Sequence, residues 1–158
     1  MPNPNVTAAM SNEMPSNVSE IAPAITRSGW FVCKNILAAA ISGSTVTIKA
    51  AGTYSLSGTA DNGRIIVDSD DETPVRLLFN NVTIKCTNSA PLFIKDSKKT
   101  LIYLEKGTSN SLIDGTAYSD TSGEPNAALF SNSDLIIYGE GSLNVTGNYN
   151  DGISTDDG

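Results

Sequence analysis

GTYSLSG (52–58) and GSLNVTG (141–147) carry one pattern: a glycine, an alternation of apolar and polar side chains, and a closing glycine. Two looser copies stand between them, opening at Asn80 and Asn110. Aligned on their first apolar residue, the four begin at Tyr54, Val82, Leu112 and Leu143, spaced by 28, 30 and 31 residues. A repeat of this length is the mark of stacked supersecondary units, each unable to bury its apolar face alone.

Working outward, each period holds two more β-prone runs. One set starts at Val46, Val75, Leu101 and Leu135; the other is anchored at Ile65, Leu92, Leu129 and Ile153. Alternation within a run sends Tyr54 and Leu56, or Leu143 and Val145, to one face and Ser, Thr or Asn to the other. Three such faces per coil, stacked at ~4.8 Å, predict an all-β fold: a right-handed parallel β-helix, a solenoid, of about four coils over residues 45–158. Right-handedness follows from the general rule for parallel crossovers. A sandwich of hairpins is the competing architecture, but it predicts turns every 8–12 residues rather than a long repeat.

The slots around the anchors fit turns. Gly52, Asn80, Asn110 and Gly141 stand two residues before them, types that tolerate a left-handed backbone. The small residues Gly58, Cys86, Thr116 and Gly147 stand four residues after. The third unit is irregular: Asp114 falls in the slot of Leu56, Ile84 and Val145, and a polar insertion, Thr116 to Pro125, predicts a loop.

Residues 1–44 read as a flexible arm followed by an N-terminal cap. The first twenty residues are polar, with three prolines and no periodicity. CKNILAAAI (33–41) places Ile36, Leu37, Ala40 and Ile41 on one face of a short helix, which would cover the open end of a solenoid. No comparable cap follows the last run. The sequence therefore predicts either further coils beyond Gly158 or end-to-end self-association through an open C-terminal coil.

Composition narrows the function. The 158 residues suit one domain, with 39% apolar content sufficient for a core. A net charge of −7 and a pI near 4.4 argue against nucleic acid, whose phosphates demand clustered Lys and Arg. The same charge disfavours anionic membranes, and no apolar run approaches the ~18 residues of a membrane span, so no membrane insertion is expected. The absence of histidine excludes His-based triads and most zinc sites. Cys33 and Cys86 have no metal-ligand spacing, and their pairing stays open between a disulfide and two free thiols. The amino terminus lacks the basic and apolar regions of a secretory signal.

Two kinds of candidate site emerge. Asn148, Asn150, Asp151, Asp156 and Asp157 surround Gly152-Ile153, with Asn132 and Asp134 on the same coil. Ca²⁺ takes six to eight oxygen ligands of these types, so the cluster reads either as a calcium site or as an acidic, solvated turn. A second acidic run, Asp68, Asp70, Asp71 and Glu72, reads mainly as a solvated loop. Tyr149 and Tyr118 sit among polar residues and are expected to be exposed, free to stack on the apolar face of a sugar ring beside Asn148. Tyr54 reads as core, and Tyr103 and Tyr138 lie within apolar runs. Lys95, Lys98 and Lys99 could supply a lyase base, but a lysine-rich hydrophilic turn is the simpler reading.

The strings GTYSLSGTADNGRIIVDS (52–69), NAALFSNSDLIIYGEGSLNVTGNYNDGI (126–153) and the following STDDG resemble a bacterial carbohydrate-binding β-helix family. The resemblance covers roughly residues 45–158. It implies secreted or cell-surface proteins that bind cellulose and acidic sugars, with bound calcium and a fold similar to pectate lyases. It also implies further coils past the Asp-Gly-Ile motif. The function expected is non-catalytic, calcium-assisted binding of an extracellular polysaccharide, cellulose or an acidic polymer such as polygalacturonate. The alternatives are a pectate-type lyase and a purely structural β-helix of an adhesin or fibre.

Overall fold

The structure is a computed structural model that describes residues 25–26, 31–33, 39–42 and 44–156. Fourteen strands form two sheets, and no helix occurs among the described residues. The larger, eight-stranded sheet begins with β1 (Ile25–Thr26) and β2 (Phe31–Cys33), paired antiparallel. β2 runs antiparallel to β5 (Gly52–Ala60), which pairs in parallel with the long β7 (Val75–Lys85). Beyond β7 the sheet forks. One branch continues through β9 (Thr100–Leu104) to β12 (Leu135–Gly139), the other through β10 (Ser109–Ile113) to β13 (Ser142–Thr146). The six-stranded sheet runs β3 (Ala39–Ser42), β4 (Thr45–Ile48), β6 (Arg64–Asp68), β8 (Leu92–Asp96), β11 (Ala127–Ser131) and β14 (Asp151–Thr155). Only its first pair is antiparallel.

One core lies between the sheets. Val46, Ile65, Leu92 and Leu129 from the smaller sheet and Tyr54, Leu77, Ile102 and Leu112 from the larger are all fully buried in it. The alternation that sends these side chains inward is the one legible along each run, as in the TVTI strand, where Val46 and Ile48 are buried and the threonines are not.

This architecture corrects the expected fold class. A right-handed parallel β-helix with three faces per coil and a helical cap is replaced by an all-β arrangement of two sheets. The cap region carries strands instead: β2 ends at Cys33 and β3 covers Ala39–Ser42, while 34–38 fall outside the described residues. Three consecutive alanine-and-isoleucine positions, Ala39 to Ile41, suit a strand against β4 as well as a helix, and pairing decides. Two expected runs also merge: those at Val75 and Val82 form the single strand β7, with no more than a bulge between them.

The register differs in an informative way. Val46 pairs with Ile65, not with the set that begins at Val75. Leu112 pairs with Ile84 and Val145, so the inward position two residues earlier belongs to Asn110, opposite Leu143. Asn110 is fully buried yet satisfied: its Oδ1 accepts from Val82 N at 3.0 Å and its Nδ2 donates to Ser142 O and to Thr108 Oγ1, both at 3.0 Å. Shifted by two, Asp114 leaves the inward slot and lands at a corner. There Cys86 is a buried free thiol; the side chain of Cys33 falls outside the described residues.

Candidate functional site

The corner that carries the chain from the larger sheet into the smaller is built, coil by coil, from residues 61–63, 86–91, 114–126 and 147–150. In the last two coils it gathers two tyrosines. The rings of Tyr118 and Tyr149 stack with centroids 4.2 Å apart and planes 18° from parallel. Tyr149 is 42% exposed, whereas Tyr118, expected at the surface, is 6% exposed beneath it.

A single carboxylate organises this pair. Asp114, itself only 4% exposed, accepts from the Tyr118 hydroxyl through Oδ2 at 2.8 Å and from the Asn148 amide through Oδ1. Tyr149 N donates to the same Oδ2 at 3.4 Å, and Asn148 Nδ2 donates to Asp114 O at 2.8 Å. Burial, then the bond to Asp114, pushes the Tyr118 phenol well above its ordinary value, so it stays protonated as the donor. Gly147 permits the tight turn that follows: a Cβ there would stand 2.3 Å from Asp151 O. The inserted loop is tied down at both ends, by Ser119 N to Asn88 O at 2.9 Å and by Asn132 Nδ2 to Glu124 Oε2 at 3.2 Å.

The expected calcium ligands divide between two corners. Asn150 and Asp151 stand on the tyrosine turn, with Asn150 Nδ2 donating to Asp151 Oδ2 at 3.0 Å. Asp156 lies beyond the far end of β14, its amide on Ser131 O, about 16 Å away at the ~3.3 Å rise of a strand residue. Asp134 is near that second corner and pairs with Lys99 at 3.3 Å. Asp157 lies outside the described residues. Among the described residues no three acidic or cysteine side chains gather as a metal site would require. This donor set does not fit one shared ion.

The second corner is polar and laced with ion pairs. Asp68 Oδ2 accepts from Lys49 at 2.7 Å and Lys95 at 3.4 Å, and Lys98 stands 4.0 Å from Glu72. Asp71 caps the Ala51 amide at 2.7 Å. All three lysines weighed as a lyase base thus face carboxylates, as a hydrophilic turn would have it. The sequence reading missed Asp114 as an organiser because it counted the residue as an irregular core position. Only the inward placement of Asn110, which the structure supplies, moves Asp114 to the corner.

Comparison with known proteins gives a consistent family. A carbohydrate-binding domain-containing protein of Acetivibrio thermocellus is 37% identical over 124 residues, 77% of this chain and 43% of its own. A solved structure, the gadolinium derivative of a polysaccharide lyase-like protein from C. thermocellum, superposes with a TM-score of 0.74 at 37% identity. That match covers 77% of this chain and 50% of the other, so the chain spans half or less of the length of either relative. The family of carbohydrate-binding domain-containing proteins matches residues 42–158, and the chain belongs to it.

Proposed function

We propose that this chain binds polysaccharide without cleaving it, at the tyrosine corner, and acts outside the cell, where such polymers lie. The observation that carries the reading is the stacked pair: Tyr118, buried and anchored on Asp114, backs an exposed Tyr149. A ring held flat from behind loses little conformational freedom when a second flat object docks on it. The C–H face of a sugar ring is such an object, and the neighbouring Asn148 and Asn150 offer amide groups for its hydroxyls. Cellulose and polygalacturonate are the polymers proposed. Membership of a carbohydrate-binding family supports the class of ligand. The mechanism proposed rests on the chain's own side chains: Asn150 and Asp151 stand at the tyrosine corner, Asp134 and Asp156 at the other.

The test is retention of the chain on cellulose and on immobilised polygalacturonate, with Tyr149→Ala beside the parent. Retention lost in the variant supports the reading; retention unchanged on both polymers overturns it. Appearance of unsaturated-uronate absorbance on incubation with polygalacturonate would replace binding by lyase chemistry.

A further inference from the structure

The row of strands that crosses the larger sheet through β7, β9 and β12 changes at its last member. β9, with β7 on one side and β12 on the other, is buried at every position. β12 has the same apolar texture, LIIYG against TLIYL, yet among the described residues it pairs with β9 alone. Ile136 is 38% exposed, whereas Leu101, opposite it on β9, is 2% exposed. Leu135 and Ile137 pack against the core, and Tyr138 joins Leu78 and Tyr103 on the other face of the sheet. A strand added to this edge would meet apolar side chains on both faces, so it has to be apolar at consecutive positions.

Charge at the strand ends specifies the flanks. β12 is bracketed by Asp134 and Glu140, both about half exposed. Each takes one lysine from the β9 side, Lys99 at 3.3 Å and Lys106 at 3.2 Å. Asp68 shows the same arrangement completed. It ends β6, between β4 and β8, and its Oδ2 receives Lys49 from one side at 2.7 Å and Lys95 from the other at 3.4 Å. Among the described residues Asp134 and Glu140 have the first of those lysines and lack the second. A second copy stacking its own last coil on this one would not supply it. From residue 107 onward the sequence holds eight carboxylates and no lysine or arginine, so like charge opposes that contact.

We propose that the open edge of β12 is a docking site for an extended segment of a partner protein, which joins the sheet as a further strand. The segment matches the five residues of β12 with a continuous apolar run and carries a lysine or arginine at each end. Backbone hydrogen bonds to β12 provide the pairing, the apolar run covers Ile136 and Tyr138, and the two cations complete Asp134 and Glu140. Tyr149 takes no part, so the site stands independently of the sugar-binding reading.

The chain contains a probe of the required pattern: KTLIYLEK (99–106), the stretch that pairs with β12 from the inner side. A fluorescently labelled synthetic KTLIYLEK is titrated with the intact protein and followed by anisotropy, beside the same peptide with both lysines replaced by glutamate. The lysine-flanked peptide is expected to bind about tenfold more tightly, as two exposed ion pairs allow, with the margin shrinking at high salt. The double variant Asp134→Asn, Glu140→Gln, altered only at exposed side chains, is expected to bind both peptides alike. Equal binding of the two peptides by the parent, binding of neither, or a margin that survives in the double variant overturns the proposal. A dimer in sedimentation velocity that dissolves in Ile136→Lys also overturns it, because a second copy would then be the occupant.

Discussion

The Tyr118 hydroxyl donates to Asp114 Oδ2 at 2.8 Å, and one buried carboxylate thereby governs two aromatic rings on the third and fourth corners. Asp114 also accepts the Asn148 and Tyr149 amides, so the position of the exposed ring is set by a group on the preceding coil.

Asp114→Asn keeps one acceptor oxygen but turns the other into a donor facing donors. Hydrogen bonds to a charged acceptor are worth about 1.5–3 kcal/mol, and a loss of that order is expected in urea unfolding. Retention on cellulose should fall with it even where the variant is fully folded, because Tyr149 loses its support.

Tyr118 also contributes to the behaviour in base, as does Tyr138, whose phenol is likewise raised by burial. The folded-state pKa of Tyr118 lies above the ordinary phenol value of 10.0, owing first to burial and then to Asp114. Above about pH 10 the unfolded chain releases that proton while the folded chain keeps it, so stability declines as pH rises from there. Tyr118→Phe is expected to lessen this alkaline decline, measured as the change of urea midpoint with pH.

In acid Asp68 contributes, beside Asp120, whose carboxyl is also held below the ordinary value. The hydrogen bond from Lys49 leads the causes that hold the Asp68 carboxyl below the ordinary 3.8, with Lys95 adding to it. The unfolded chain therefore takes up the proton first, and the stabilisation, present above about pH 4, is lost as pH falls through the lower folded value. Asp68→Asn should flatten the acid limb of the stability profile and leave the neutral plateau almost level, since exposed ion pairs contribute about 0–1 kcal/mol.

Asn110→Ala orphans two backbone groups, the Val82 amide and the Ser142 carbonyl, in the interior. A loss of roughly 2–4 kcal/mol is expected by denaturant titration, more than for most exposed positions.

Asp134 stands at the corner away from Tyr149, paired with Lys99. Asp134→Asn is expected to leave polymer retention unchanged, in calcium and in EGTA alike. A calcium-dependent loss in this variant would restore Asp134 to the binding machinery.

The repeat is legible in the sequence because parallel pairing stacks like on like: Ile65, Leu92, Leu129 and Ile153 occupy one position of the repeat and pair in that register. It showed less of the rest for two physical reasons. A buried Asn satisfied by neighbouring strands is indistinguishable, in a string, from a surface Asn, and reading Asn110 as a turn displaced its whole unit. Corners join coils through space, so the Tyr118–Tyr149 stack, thirty-one residues apart, left no local pattern. Merging of two expected runs was equally hidden, because nothing but pairing distinguishes a bulge at Asn81 from a corner.

That bulge has a wider consequence. Asn81, with φ at 53°, is the extra residue in β7 where Ser57/Gly58 of β5 face Asn80 and Val82. Followed down the sheet, the same seam holds one residue between Leu56 and Gly58, two between Phe79 and Val82, five between Leu104 and Asn110, and three between Gly139 and Leu143. The strands on either side stay paired throughout. The seam is an expansion joint: the number of residues between aligned rows grows or shrinks there without disturbing them, so it is where added residues, or a grafted recognition loop, would be borne at least cost to the rest of the chain.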